Sequence, residues 1–253
     1  MPGAGGSTAL TRLIRSAPDG YTIAIGNSGT NAATYTIHKD LPFTPDSFTP
    51  VGIVARTASL IAVKKDSPYR DAAALIAFAK QNPGKLNFGH AGLGSNNYLI
   101  CKIFFQSAGA DVTLVSYRGA APALQDLIGG QIDGVCDNAT SVAGAVQSGQ
   151  VHGLVVSAAA RLPKMPGVPT SEEAGIPAFQ AQGWNAVFAP KGIPAAVEDR
   201  LRDALRQALA GDLLKRRFSE IETAAAAEGD LSPEFLRTFI PAEIERFKKL
   251  LKE

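Results

Sequence analysis

Three times this sequence passes from a short apolar run, through a loop of glycines and small polar residues, into a segment with helical patterning. The stretches are "TIAIGNSGTNAATYTI", "KLNFGHAGLGSNNYLICKIFFQSAG" and "VTLVSYRGAAPALQDLIGG". Strand, loop and helix repeated in that order restrict the chain to the α/β class with a mostly parallel sheet, because parallel neighbours need a crossover between them. In an open sheet of that kind the loops gather at the carboxyl ends of the strands, where ligands bind.

The rest of the chain extends the pattern. A glycine turn at Gly3–Gly6 feeds a short helix from Thr8 to Arg15, and Pro18, Asp19 and Gly20 mark a turn before a strand from Tyr21 to Ile25. A short helix is expected around Ala32 to Ile37. "TPVGIVA" and "SLIAVKK" read as strands, and "DAAALIAFAKQNPG" reads as an amphipathic helix stopped at Asn82, Pro83 and Gly84. "IDGVCDN" and "VHGLVVSAA" are further strands with a helix near Val142 to Ser148 between them, "GWNAVFAP" is extended, and two helices close the chain. With 253 residues there is length for one large domain or two lobes.

Several function classes are poorly supported. A net charge of +2 and the lack of a Lys/Arg run interleaved with aromatics argue against nucleic acid as a partner. No apolar run reaches the roughly 18 residues of a membrane span. The first residues lack the basic start and apolar stretch of a secretory leader, and a mature exported chain reads the same way. Cys101 and Cys136 form no CxxC and sit at no His-ligand spacing, which leaves two buried thiols or one disulfide.

The candidate site lies in the three loops. Ser28, Gly29, Thr30 and Asn31 form the first; His90, Ala91, Gly92, Gly94, Ser95 and Asn96 belong to the second; Tyr117, Gly119 and Ala120 belong to the third. Glycine permits close backbone approach to a ligand, hydroxyls and amides add donors, and each helix start contributes N–H groups and a partial positive charge. Together these suit a carboxylate or another small anion. Ser95 and Asn96 also suit plain helix capping, worth about 1 kcal/mol with no ligand present. Asp137, at the end of "IDGVCD", could accept a ligand's hydroxyl or ammonium, or cap the next helix. Arg118 is the one basic side chain in the loops, so backbone and hydroxyl ligation is expected in place of an arginine clamp.

Catalytic constellations do not assemble. His38, His90 and His152 belong to no HExxH or metal pair, there is no GxSxG elbow, no P-loop and no complete GxGxxG. No cofactor and no metal are expected. Trp184 reads as core.

The blocks "PGAGG" with "PDGYT", "DSFTPVGIVA", "NPGKLNFGHAGLGS", "YRGAAPALQDLIGGQID", "RLPKMPGVPTSEEAGIP" and "WNAVFAPKGIP", in this order, resemble the Bug family, the extracytoplasmic receptors of tripartite tricarboxylate transporters. The resemblance implies a two-lobed periplasmic binding protein fold of the second type, each lobe a sheet flanked by helices. It implies no enzymatic activity, a small carboxylated ligand held in an interlobe cleft, membrane permease subunits as partners, a monomer and a periplasmic location. By resemblance the second loop cradles the carboxylate, with Ser95 at the hydroxyl position, and Asp137 matches an acidic position at the cleft floor. His90 stands where the family commonly has serine, and Tyr98 where it has histidine.

On this reading lobe one is residues 1–83 with 188–253, and lobe two is 84–187. The resemblance also implies that a strand, helix and strand precede "PGAGG" in the family, so that lobe one here is truncated. Two rival readings are a small-molecule-sensing domain of the same fold and an enzyme on a related α/β scaffold.

Overall fold

A computed structural model describes residues 4–251. Pro2 and Gly3 of the opening turn, and the last two residues of the closing helix, lie outside the described residues. In chain order the elements are α1 (Ser7–Ile14), β1 (Ala24–Asn27), α2 (Thr34–Ile37), β2 (Phe48–Thr57), β3 (Ser59–Lys64) and α3 (Ala72–Gln81). Then come β4 (Asn87–His90), α4 (Asn96–Ala108), β5 (Thr113–Ser116), α5 (Ala120–Ile128), β6 (Gly134–Asn138), α6 (Ala139–Gln147) and β7 (Val151–Ser157). The chain closes with β8 (Gly183–Pro190), α7 (Ala195–Ala210), α8 (Asp212–Glu220), β9 (Thr223–Ala225) and α9 (Pro233–Leu250).

Two compact units result, one of Met1–Arg56 with Trp184–Glu253, the other of Thr57–Gly183. The division therefore falls at 56/57 and 183/184, where 83/84 and 187/188 were expected. The reason is β3: its run Ser59–Val63 is buried throughout and pairs inside the second unit, carrying α3 with it.

The first unit holds a four-stranded sheet in the order β1-β8-β2-β9. β1 pairs antiparallel with β8, Ala24 opposite Phe188 and Asn27 opposite Asn185. β1 begins later than the sequence suggests, because the Asp19 carboxylate accepts the Tyr21 N–H at 3.0 Å and prolongs the turn. It is an edge strand on which Ile23, just before it, and Ile25 stay exposed. Trp184 is core, as its sequence context suggests: it is buried, packs edge-on against Phe239, and donates from Nε1 to Glu243 at 2.8 Å.

The second unit holds a five-stranded sheet in the order β5-β4-β6-β3-β7. β4 runs parallel to β5 and β6, whereas β3 is antiparallel to both β6 and β7. The mostly parallel sheet is thus corrected to a mixed one. Helices connect β4, β5, β6 and β7 in turn, as the alternating pattern requires. Only Ala58 separates β2 from β3, so β3 enters without a crossover and runs against its neighbours.

One apolar cluster, with Leu60, Leu127, Val135, Val142 and Val156 near its centre, packs α5 and α6 against that sheet. Cys101 and Cys136 form a disulfide with Cα atoms 5.2 Å apart. It fixes α4 to β6, and so decides between the two readings of the cysteines.

Candidate functional site

In the second unit β4, β5 and β6 end side by side. Ser116 pairs with His90, and Gly89 pairs with Val135, so the three following loops leave one edge of the sheet together. This gathers His90–Asn96, Tyr117–Ala120 and Asp137, as the sequence pattern expects. α4, α5 and α6 all start here, and none carries an acidic residue in its first turn. Their N-termini present a partial positive charge, which at α4 and α6 faces the Asp137 carboxyl and at α5 has no acidic residue in the first turn.

The second loop is rigid by construction. Gly92 and Gly94 adopt φ of 109° and 81°, where a side chain is strained. They turn the chain so that the Ser95 N–H reaches the Gly92 carbonyl at 3.1 Å. Ser95 is the N-cap of α4, its Oγ accepting the Tyr98 N–H at 3.2 Å. Capping uses an oxygen lone pair and leaves the hydroxyl hydrogen to donate elsewhere.

His90 is buried at the end of β4 with its ring centroid 5.2 Å from that of Tyr98. Its Nδ1 accepts the Gly92 N–H at 3.2 Å, which places the ring proton on Nε2. Burial is the largest cause acting on its pKa and lowers it below the ordinary 6.5. His90 is therefore a neutral donor at pH 7 in the unliganded protein.

Asp137 is buried and its carboxyl is pushed up to about 6, mainly by desolvation. Three donors oppose that rise: the Asn138 N–H at 2.7 Å and the side chains of Asn97 and Ser141. The carboxylate thus ties the first turn of α4 to the first turn of α6. Its oxygens accept from the protein's own helix starts.

Asn138 is a residue that sequence reasoning passed over. It is the N-cap of α6 yet makes no side-chain cap bond. Its Oδ1 instead accepts Asn96 Nδ2 at 2.7 Å and the Thr57 hydroxyl at 3.3 Å. Gly183 closes over this cluster, for a Cβ there would lie 2.9 Å from Asn96 Nδ2 and 3.0 Å from Thr57 Oγ1. The available signal was local: Asn is a capping residue directly after a strand-ending Asp.

The third loop contributes backbone. The Tyr117 hydroxyl donates to Asp126 at 2.8 Å, and its N–H donates to the His90 carbonyl at 2.9 Å. Gly119 is the N-cap of α5 and brings no side-chain cap. Arg118 is exposed.

Ser28, Gly29, Thr30 and Asn31 belong to the first unit and stand on their own there. They open a π-helical turn, Gly29–Ala33, that runs on into α2. The N–H groups of Gly29 and Thr30 donate to Asn27 Oδ1 at 2.9 and 3.0 Å, and the Thr30 hydroxyl donates to Asn31 Oδ1 at 2.7 Å. Asn31 is buried and its Nδ2 has no hydrogen-bond partner among the described residues. A buried donor left so costs about 1–3 kcal/mol and is a position for an acceptor from outside the chain.

Residues 1–253 as a whole match the family described as the tripartite tricarboxylate transporter family receptor. A curated relative, the UPF0065 protein in the TAR-I ttuE-ttuC' intergenic region of Agrobacterium vitis, is 34% identical over 100% of this chain and 73% of its own length. Among solved structures, MatC of Rhodopseudomonas palustris with bound malate is 33% identical, covers 98% of this chain and 85% of its own, and superposes with a TM-score of 0.92. The periplasmic binding protein BugD is 29% identical, covers 99% and 84%, and superposes with a TM-score of 0.93.

Proposed function

The chain belongs to the tripartite tricarboxylate transporter receptor family, and from that premise we propose that it captures a small dicarboxylate in the periplasm and delivers it to the permease subunits of such a transporter. It is a solute-binding receptor and not an enzyme. The observation that carries the ligand class is the convergence of three helix N-termini on one edge of the second unit's sheet, where the one carboxyl placed among them, Asp137, is held by the starts of α4 and α6 and the start of α5 carries no acidic residue in its first turn.

Taking a carboxylate out of water requires several charge-assisted hydrogen bonds. The Ser95 hydroxyl, the neutral His90 Nε2–H and the first N–H groups of α5 are proposed to supply them. Charge is balanced by peptide dipoles, which suits reversible capture better than a buried ion pair would. The disulfide between α4 and β6 accords with an oxidising compartment. The receptor is proposed to act as a monomer.

The test is thermal unfolding and calorimetry with malate, longer aliphatic dicarboxylates and, as a neutral control, a diamide of malate. Binding with one-to-one stoichiometry is expected, with stabilisation of about 2.7 kcal/mol at a hundredfold excess over Kd. Equal binding of the diamide, or no shift with any dicarboxylate, would overturn the proposal.

A further inference from the structure

The second unit carries a cavity of about 420 Å³ that is separate from the three loops. It lies at the opposite end of β7. Ser157 ends that strand beside Ser59, whose other partner is Asn138 of the loop edge; His152, at the other end, lines the cavity. Five residues of extended strand separate the two positions, about 17 Å.

The cavity has a basic rim and an apolar floor. Lys65, Arg70, His152 and Lys164 line it, and no carboxylate does. Val151, Met165 and Val168 are buried beneath. Lys65 and Arg70 are exposed and enter no ion pair among the described residues. Asp71, next to Arg70 in sequence, caps α3 through the Ala74 N–H at 2.7 Å, and Asp133, which pairs with Lys64, does not line the cavity. Asp66 is exposed beside Lys65 and does not line the cavity.

The walls are held in place. His152 Nε2 donates to the Arg70 carbonyl at 3.0 Å, fixing the segment that bears Arg70 against β7. α6 ends at the cavity, and three carbonyls of its last turn are occupied: Gly144 accepts from Ser148 at 3.0 Å, Ala145 from Gln150 at 2.9 Å and Val146 from Gly149 at 3.0 Å. Much of the negative end of that helix is therefore engaged by its own cap.

We propose that this cavity is a second binding site, which takes a small organic anion with an apolar body. The volume lies within the range of small-molecule sites, which are mostly apolar with a few placed polar groups. Two cations at the rim choose the charge, and the valine–methionine floor chooses the body. The site does not depend on the loop edge for any of its residues.

The experiment is amide NMR of the intact chain titrated with phthalate, and separately with inorganic phosphate. Gly149, Gly153 and Gly167 report on the cavity, and Gly92 and Gly94 on the loop edge. With phthalate the cavity glycines are expected to shift saturably below about 10 mM, with their own midpoint, and to do so equally in Ser95→Ala. Lys65→Glu with Arg70→Glu should weaken that titration by about tenfold or more while leaving the Gly92 and Gly94 response in place. Lys65→Ala with Arg70→Ala is the milder pair should the charge reversal disturb folding. Inorganic phosphate should bind more weakly than phthalate, for lack of an apolar body. The proposal is overturned by a linear response at the cavity glycines, by one that merely tracks Gly92 and Gly94, by one indifferent to the Lys65 and Arg70 changes, or by phosphate binding as tightly as phthalate.

Discussion

Asp137→Asn tests the electrostatics of the loop edge directly. In the folded protein the carboxyl is pushed up to about 6 from an ordinary 3.8, with burial as the largest cause. The folded state therefore keeps the proton across an interval in which the unfolded chain has released it. A raised carboxyl contributes stability that is fully present below the ordinary value and is lost as pH rises through the folded one. The interval spans a little over two pH units at about 1.4 kcal/mol each, so the loss by pH 7.5 is about 3 kcal/mol. Asparagine is nearly isosteric and does not titrate, so it removes this dependence.

The amide keeps one acceptor oxygen but presents an NH2 group to donors now served by the carboxylate, at a cost of about 1–3 kcal/mol. Near pH 4 the variant should be the less stable protein. Near pH 7.5 it should match or exceed the wild type. The assay is urea unfolding from pH 4 to 8 followed by far-ultraviolet circular dichroism, since Trp184 reports on the first unit and Asp137 lies in the second. The other carboxylates are common to both proteins and cancel in the difference. Parallel stability profiles for wild type and variant, within about 0.5 kcal/mol, would refute the reasoning.

Two further outcomes follow from the same edge. Ser95→Ala should weaken dicarboxylate binding by about 1–3 kcal/mol in calorimetry, while costing the unliganded protein no more than the loss of a helix cap, about 1 kcal/mol; lost stability with unchanged affinity would leave Ser95 as a cap alone. Replacing both Cys101 and Cys136 with serine, which opens a loop of 35 residues, should destabilise the second unit by about 4 kcal/mol on the chain-entropy account, read as a lower urea midpoint matched by the wild type under reduction.

Much of this protein was legible in its sequence because the signals are local. A strand, a glycine-bearing loop, a capping serine and a helix lie within a few consecutive residues, and their geometry follows from allowed dihedrals and unpaired N–H groups at the helix start. The segments around His90–Asn96 and Tyr117–Ala120, the fold class, and the burial of Trp184 could all be read in that way. The family likewise rests on blocks that are contiguous in the chain.

The tertiary structure decided what depends on partners distant in sequence. Nothing near β3 says that it will run against β6 and β7, because strand direction is set by the sheet it joins and not by its own residues. The units divide at Arg56/Thr57 for that same reason. That the Tyr117 hydroxyl donates to Asp126, and that Asn97, Asn138 and Ser141 hold the Asp137 carboxyl, are pairings no local signal announces. The two cysteines become a disulfide only when α4 packs on β6. A sequence specifies which donors and acceptors a chain owns; which of them remain for a ligand depends on how the folded chain has already paired them.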